Sequence, residues 1–307
     1  MIRGKEGWIT VGAMLLLLVL SSYVFAADDS IVNASPYLRM GVGARFLAMG
    51  GASTASVDDA TATYWNLAGL TKIESGSIAS MYSAGDMLDR KHNFLALASS
   101  FRGIGSFGIA WINSGVADIK RYNENDQALG SFNSSENAFM FSYGAMFKPV
   151  RLGAGIKILH QKIDPDSTET TMGFGGLDLG ALAEPIEGVA IGLSVQNMLG
   201  KIADASVPVM LRLGTAVRLL PGDDLLVAVD LDKAFVDLEG RTYSMNIGAE
   251  YWAADFVGFR LGFTSEKQFS AGIGLKMPSN ISVDYAYTIQ REGLEPDVHY
   301  VSICASF

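Results

Sequence analysis

From residue 207 to its end, the chain alternates apolar side chains with polar or very small ones at a period of two. Between Val209 and Arg218 the odd positions hold Val209, Leu211, Leu213 and Val217, while the even ones hold Arg212, Gly214, Ala216 and Arg218. Phe269, Ala271, Ile273 and Leu275 against Ser270, Gly272, Gly274 and Lys276 repeat the parity, and so do Ile281, Val283, Tyr285 and Tyr287 against Ser282, Asp284, Ala286 and Thr288. Successive side chains of a strand point to opposite faces, so the pattern predicts strands with one apolar face and one polar or nearly empty face. A soluble sandwich buries the apolar face against a second sheet, whereas a transmembrane barrel turns it toward lipid. The rest of the chain separates the two.

Period-two runs bounded by turn residues predict about fourteen strands after an irregular N-terminal segment: Ile78 to Tyr82, Phe94 to Phe101, Ser106 to Ile112, Ala138 to Phe147, Val150 to Lys162, Thr171 to Ala183, Val189 to Asn197, Val209 to Leu219, Leu225 to Asp232, Tyr243 to Trp252, Phe256 to Thr264, Phe269 to Met277, Ile281 to Gln290 and His299 to Phe307. An even count suits a bacterial single-chain barrel, and closing the first strand on the last removes edges that lipid would not tolerate. Tight turns at Lys148-Pro149, Pro221 to Asp223 and Pro278 to Asn280 alternate with longer connections at Asp118 to Glu136, Asp164 to Thr170, Met198 to Ser206, Ala234 to Arg241 and Arg291 to Val298. The longer set is expected outside the cell. Tyr251, Trp252, Phe256, Phe259, Tyr285, Tyr287, Trp111 and Tyr143 fall on or near strand ends, where interfacial aromatic girdles lie. Val301, Ile303, Ala305 and Phe307 are similar to the terminal strand signature that the outer-membrane insertion machinery recognises.

Arg3 and Lys5 precede an uncharged run from Trp8 to Leu20, followed by Val24-Phe25-Ala26, which reads as a signal peptide cleaved after Ala26. The run is 13 residues, short of the ~20 a spanning helix needs. No later stretch reaches ~18 apolar residues, which excludes inner-membrane helices. The expected organisation is a signal peptide over 1–26, an N-terminal segment over 27–74 and a barrel over 75–307. The single cysteine, Cys304, lies far from the cleavage junction, so neither a lipid anchor nor a disulfide framework is expected.

With 34 Gly, 16 Phe and 11 Tyr, the chain is too apolar for disorder and too rich in glycine and aromatics for a helical bundle. Losing the signal peptide removes two cations and one anion, moving the formal charge from −9 to −10 and arguing against nucleic acid or anionic-lipid partners. If odd residues from 209 onward face lipid, Arg212, Arg218, Asp230, Asp232, Glu250, Arg260, Lys276 and Asp284 enter the lumen. The opposite register would cost about 2–4 kcal/mol for each Arg or Lys at mid-membrane. These charges form either an ion network with Arg45, Asp58 and Asp59 or a polar path. His92, His160 and His299 lie on distant strands with no nucleophile motif, so no enzyme is expected. Asp164 to Glu169 lacks the Gly-centred loop of a calcium site, and neither metal nor cofactor is expected.

The N-terminal segment has a different period. Ser56 is placed to cap a short helix with Asp58 and Asp59 in its first turn and Gly69 at its end. Gly43-Ala44-Arg45, Met49-Gly50-Gly51-Ala52, Asp58-Asp59-Ala60 and Tyr64-Trp65-Asn66-Leu67-Ala68-Gly69-Leu70 follow in order. Together they resemble the opening of FadL-like outer-membrane proteins, most closely the PorV/PorQ family, with Leu67 where that family usually has proline. The resemblance implies a bacterial outer-membrane barrel of fourteen strands with the N-terminal segment folded into its lumen as a hatch. It implies uptake of hydrophobic small molecules or, on the PorV side, handling of secreted protein cargo in type IX secretion. An apolar pocket between hatch and wall would be lined by Phe46, Leu47, Met49, Tyr64, Trp65 and Leu70, the alternative being that these residues are hatch core.

Overall fold

A computed structural model describes residues 34–84, 90–162, 170–219, 224–235, 243–253, 255–265, 268–290 and 297–307. The signal peptide, the 164–169 stretch, the 221–223 turn and parts of the connections at 234–241 and 291–298 lie outside the described residues.

The strands are β1 (Gly76–Ala84), β2 (Lys91–Phe101), β3 (Gly105–Tyr122), β4 (Ala128–Phe147), β5 (Val150–Lys162), β6 (Thr171–Ile186), β7 (Val189–Met198), β8 (Lys201–Ile202), β9 (Ala205–Ser206), β10 (Met210–Leu219), β11 (Leu225–Ala234), β12 (Tyr243–Ala253), β13 (Val257–Thr264), β14 (Gln268–Met277), β15 (Ile281–Gln290) and β16 (Val298–Ser306). All but β8 and β9 build one antiparallel wall, in which β7 pairs with β10 and β16 returns to β1 from Ser77↔Ser306 to Ala84↔His299. At that seam Gly76 and Phe307 exchange backbone hydrogen bonds of 2.8 and 3.0 Å. The result is a closed fourteen-stranded barrel, and each predicted strand is present.

The pattern underlying the prediction appears as burial. In β10, Leu213 is exposed while Arg212, Gly214 and Ala216 are buried, and Phe107, Ile109, Phe139, Phe141, Leu261 and Ile303 are among the large apolar side chains outside. A soluble surface rarely carries so continuous an apolar belt; lipid is the solvent that accommodates it.

Several sequence expectations need correction. Much of Asp118 to Glu136 is strand: β3 and β4 run for 18 and 20 residues and stay paired past the points where β2 ends on Gly115 and β5 on Ser135. Alternation continues there through Val116, Ile119 and Phe132, with a register shift between Val116 and Ile119, so the polar composition hid a projecting hairpin. The Met198 to Ser206 connection contains the β8–β9 hairpin, which pairs with β6. Trp252 belongs to no girdle: it faces the lumen, with Lys276 Nζ 3.8 Å from its ring centroid.

Residues 34–75 fold inside the barrel with only short helical turns: 3-10 turns at Pro36–Arg39 and Leu67–Lys72 and helices at Ala44–Ala48 and Ala62–Trp65. The helix predicted to start after Ser56 begins instead at Ala62. Asp59 accepts from the Thr61 N–H at 2.8 Å, Ser56 bonds back to the Ser53 carbonyl, and Gly69 lies inside the second 3-10 turn. Asp58 is drawn away to Arg45. Turns this short have no stability of their own in water, so the wall must hold them.

Candidate functional site

The wall holds this hatch first by making room. Lumen-facing positions at mid-height are repeatedly glycine, including Gly108, Gly153, Gly180, Gly214 and Gly248 on five different strands. A Cβ at Gly248 would lie 2.5 Å from the Met49 carbonyl oxygen, and one at Gly108 2.5 Å from Thr63 Cγ2, closer than van der Waals contact permits. The bare wall lets the hatch backbone lie directly against the strands.

Charge then fixes one half of the hatch. Arg45, in the Ala44–Ala48 helix, reaches Asp58 at 2.7 Å and Glu250 of β12 at 2.8 Å; Glu250 also receives Arg260 of β13 at 2.7 Å, and Arg260 reaches Asp284 of β15 at 2.8 Å. Arg218 of β10 adds a 3.6 Å contact to Asp58. Burial opposes the Arg45 charge, but Asp58 and Glu250 outweigh it and hold the guanidinium protonated. Burial, and then Asp58, push the Asp59 carboxyl above the ordinary carboxylate range. Asp230 of β11 acts differently: one carboxylate oxygen accepts the backbone N–H groups of Ser53 and Thr54, both at 2.9 Å.

The other half is neutral. Asn66 Nδ2 donates to the carbonyls of Thr54 (2.7 Å) and Ala181 (3.1 Å), its Oδ1 accepts from Ala68 N–H at 3.1 Å, and Gln196 donates to the Tyr64 carbonyl. His92 Nε2 lies 3.1 Å from the Gly41 carbonyl oxygen. Sequence reading gave no role to Asn66, Gln196 or His92; their lumen or hatch position was the only available signal. It also missed a buried cluster in which Lys157 of β5 pairs with Asp178 of β6 at 2.9 Å and Asn197 of β7 bridges both.

Open space flanks the hatch toward both rims. At the long-connection rim, a cavity of about 270 Å³ lies between hatch and wall, with Met40, Leu47, Trp65, Met210 and Tyr300 offering apolar surface and Arg212, Asp232 and Thr264 polar groups. At the short-turn rim, a vestibule of about 740 Å³ is lined by the Arg45–Glu250–Arg260 ladder together with Lys72, Arg218, Trp252 and Lys276. Burial lowers the pKa of Lys72, with Asp58 and Glu184 opposing.

Of the six residues expected to line a ligand pocket, Leu47 and Trp65 border the rim cavity. Phe46, Met49, Tyr64 and Leu70 are at most 2% exposed and serve as core between hatch and wall, although Phe46 also borders a cleft of only about 10 Å³. Tyr64 donates its hydroxyl to the Leu38 carbonyl at 2.8 Å and accepts from Gly41 N–H. Trp65 donates from Nε1 to the Val42 carbonyl at 2.9 Å. Cys304 lies on the lumen side, its Sγ 3.7 Å from the Ser77 hydroxyl.

No protein-family model and no curated protein sequence matches the chain. Solved structures do. The Ralstonia pickettii toluene transporter TbuX aligns with 87% of this chain and 98% of its own at 15% identity and a TM-score of 0.65. The CymD monoaromatic hydrocarbon channel aligns over the same shares at 13% identity and a TM-score of 0.66, and a Pseudomonas aeruginosa FadL homologue does so at 11% and 0.61. The chain has the fold of these FadL-like barrels.

Proposed function

We propose that this protein sits in the bacterial outer membrane and takes up small hydrophobic molecules, capturing them in the rim cavity between hatch and wall. The observation that carries the reading is the cavity itself: enclosed on one side by Leu47 and Trp65 and on the other by Met210 and Tyr300, it opens at the long-connection rim. A cavity of roughly 150 Å³ suffices for benzene, so 270 Å³ accommodates a substituted ring. The toluene and monoaromatic transporters sharing the fold point to the same ligand class.

Of the residues named from sequence, Leu47 and Trp65 contact ligand in this reading, whereas Phe46, Met49, Tyr64 and Leu70 shape the site from behind. The test is binding of toluene to the purified barrel. Leu47→Trp, which fills the cavity, is expected to weaken it at least tenfold, and unchanged binding would remove the cavity from the pathway. Cargo handling, the PorV-like alternative, rests on the Gly43 to Leu70 motif alone. Residues 27–74 act as hatch, so deleting 40–70 is expected to raise conductance in planar bilayers. For assembly, the outer-membrane insertion machinery is the proposed partner of the terminal strand. Deleting Phe307, which also opens the Gly76 seam, should lower the amount of heat-modifiable barrel while export continues.

A further inference from the structure

Resting on the reading of the rim cavity as the ligand site, we infer that it selects a hydrophobic molecule bearing a neutral hydroxyl, such as a phenol, over the bare hydrocarbon. Arg212 of β10 and Asp232 of β11 stand at paired register positions on the lumen face and both line the cavity. Both side chains are more than nine-tenths buried, yet their nearest approach, Nε to Oδ2, is 3.8 Å, too long for a hydrogen bond. Arg212 Nε and Asp232 Oδ1 have no hydrogen-bond partner among the described residues, and neither has Thr264 Oγ1 on the same cavity. Buried polar atoms left this way are costly, so an occupant that satisfies them is strongly favoured.

The donor and acceptor inventory decides which occupant. A carboxylate only accepts, and would leave Asp232 facing a second acceptor. An ammonium only donates, and would leave the guanidinium unanswered. A hydroxyl does both, accepting from Arg212 and donating to Asp232. The apolar part has its own place: the Arg212 guanidinium lies 4.9 Å from the Trp65 ring centroid and 5.9 Å from that of Tyr64, which fixes the cation, and Leu47, Trp65, Met40 and Met210 line the space for the ring of a ligand. Water is the competing occupant, and a ligand hydroxyl that reproduces its bonds displaces it without loss.

The test pairs p-cresol with p-xylene, which differ by a hydroxyl for a methyl, against the detergent-solubilised full-length barrel. Binding is measured for wild type, Asp232→Asn and Arg212→Met in the same micelles, so that partitioning cancels between variants. Wild type is expected to prefer p-cresol by about tenfold or more, and Asp232→Asn, which keeps an acceptor for Asn246 but loses the unpartnered carboxylate oxygen, should bring the ratio near one. Arg212→Met should do the same where it folds; the wild-type ratio and Asp232→Asn decide the matter without it. Equal wild-type affinities, or a preference that survives in Asp232→Asn, would overturn the inference while leaving the cavity a hydrocarbon site. Binding of neither compound would instead refute the cavity as the ligand site.

Discussion

The two halves of the hatch are fastened by different physics. Residues 45–54 are tied to β11 and β12 by formal charge: Arg45 to Glu250, and the Ser53 and Thr54 amides to Asp230. Residues 66–70 carry no charge and rest on the bare wall of β5 and β6, where a Cβ at Gly180 would lie 3.0 Å from the Ala68 nitrogen and one at Gly155 2.8 Å from Leu67 Cδ1. A charge tie tolerates small shifts and responds to pH and to partner removal. A steric fit responds to volume alone, and abruptly, because the neighbour is backbone that cannot rotate away. The charged ladder also forms the floor toward the short-turn vestibule, whereas toward the rim cavity the hatch presents Arg39, Met40, Leu47 and Trp65.

The largest effect is therefore expected on the uncharged side. Gly153→Val drives a branched side chain into the Leu67–Ala68 peptide and should prevent the hatch from seating, seen as loss of the heat-modifiable band or as an open, conducting barrel. Ala154→Val, one residue on and facing outward, should behave as wild type. If both variants close normally, the steric half of the comparison is wrong.

On the charged side, Glu250→Gln leaves Arg45 and Arg260 buried without their shared anion. Breaking a buried ion pair costs on the order of 3–5 kcal/mol. The hatch should then become accessible to protease, or unfold at lower denaturant, while the fourteen-stranded wall persists. A comparable loss is expected at Asp230. Asp230→Ala frees two buried N–H groups at roughly 1–3 kcal/mol each, whereas Asp230→Asn keeps one acceptor oxygen and should recover most of that. Equal losses in the two variants would mean that charge, and not hydrogen bonding, is what Asp230 supplies.

The strands were legible because one solvent, lipid, acts on every second residue, so Leu213 and Arg212 announce their faces without knowledge of any neighbour. The ion ladder was legible for the same reason: placing Glu250, Arg260 and Asp284 in the lumen leaves Arg45 as a ready partner. What the glycines do was not. Gly153 looks like any strand glycine until Leu67 is known to lie across from it, and that proximity is set by a fold spanning 86 positions of sequence. The pocket candidates divide for a similar reason. Phe46, Met49, Tyr64 and Leu70 are apolar enough for a ligand site, but the bare wall draws them into core, whereas Leu47 and Trp65 sit where the wall recedes. Lys157 and Asp178 were missed because the lumen parity was extended only from residue 209 onward.

The smallest effect should come from Asp59, and it sharpens the comparison through pH. Around the ladder, the three guanidinium groups of Arg45, Arg218 and Arg260 face the four carboxylates of Asp58, Asp59, Glu250 and Asp284. Asp59, 3.9 Å from Arg45, is a hatch acid whose pKa is raised by burial and then by Asp58. The sign follows from linkage. A carboxyl whose pKa is higher folded than unfolded costs stability when ionised; that cost is fully present above the folded pKa and vanishes below the unfolded value of about 3.9. Asp59→Asn keeps an acceptor for the Thr61 N–H and removes the titration. Its stability should differ from wild type by no more than about 1 kcal/mol at neutral pH, and the difference should change on acidification through the raised pKa. A difference that stays constant across that window would mean that Asp59 does not titrate with the hatch in place, leaving its bonds to Thr61 as its whole contribution.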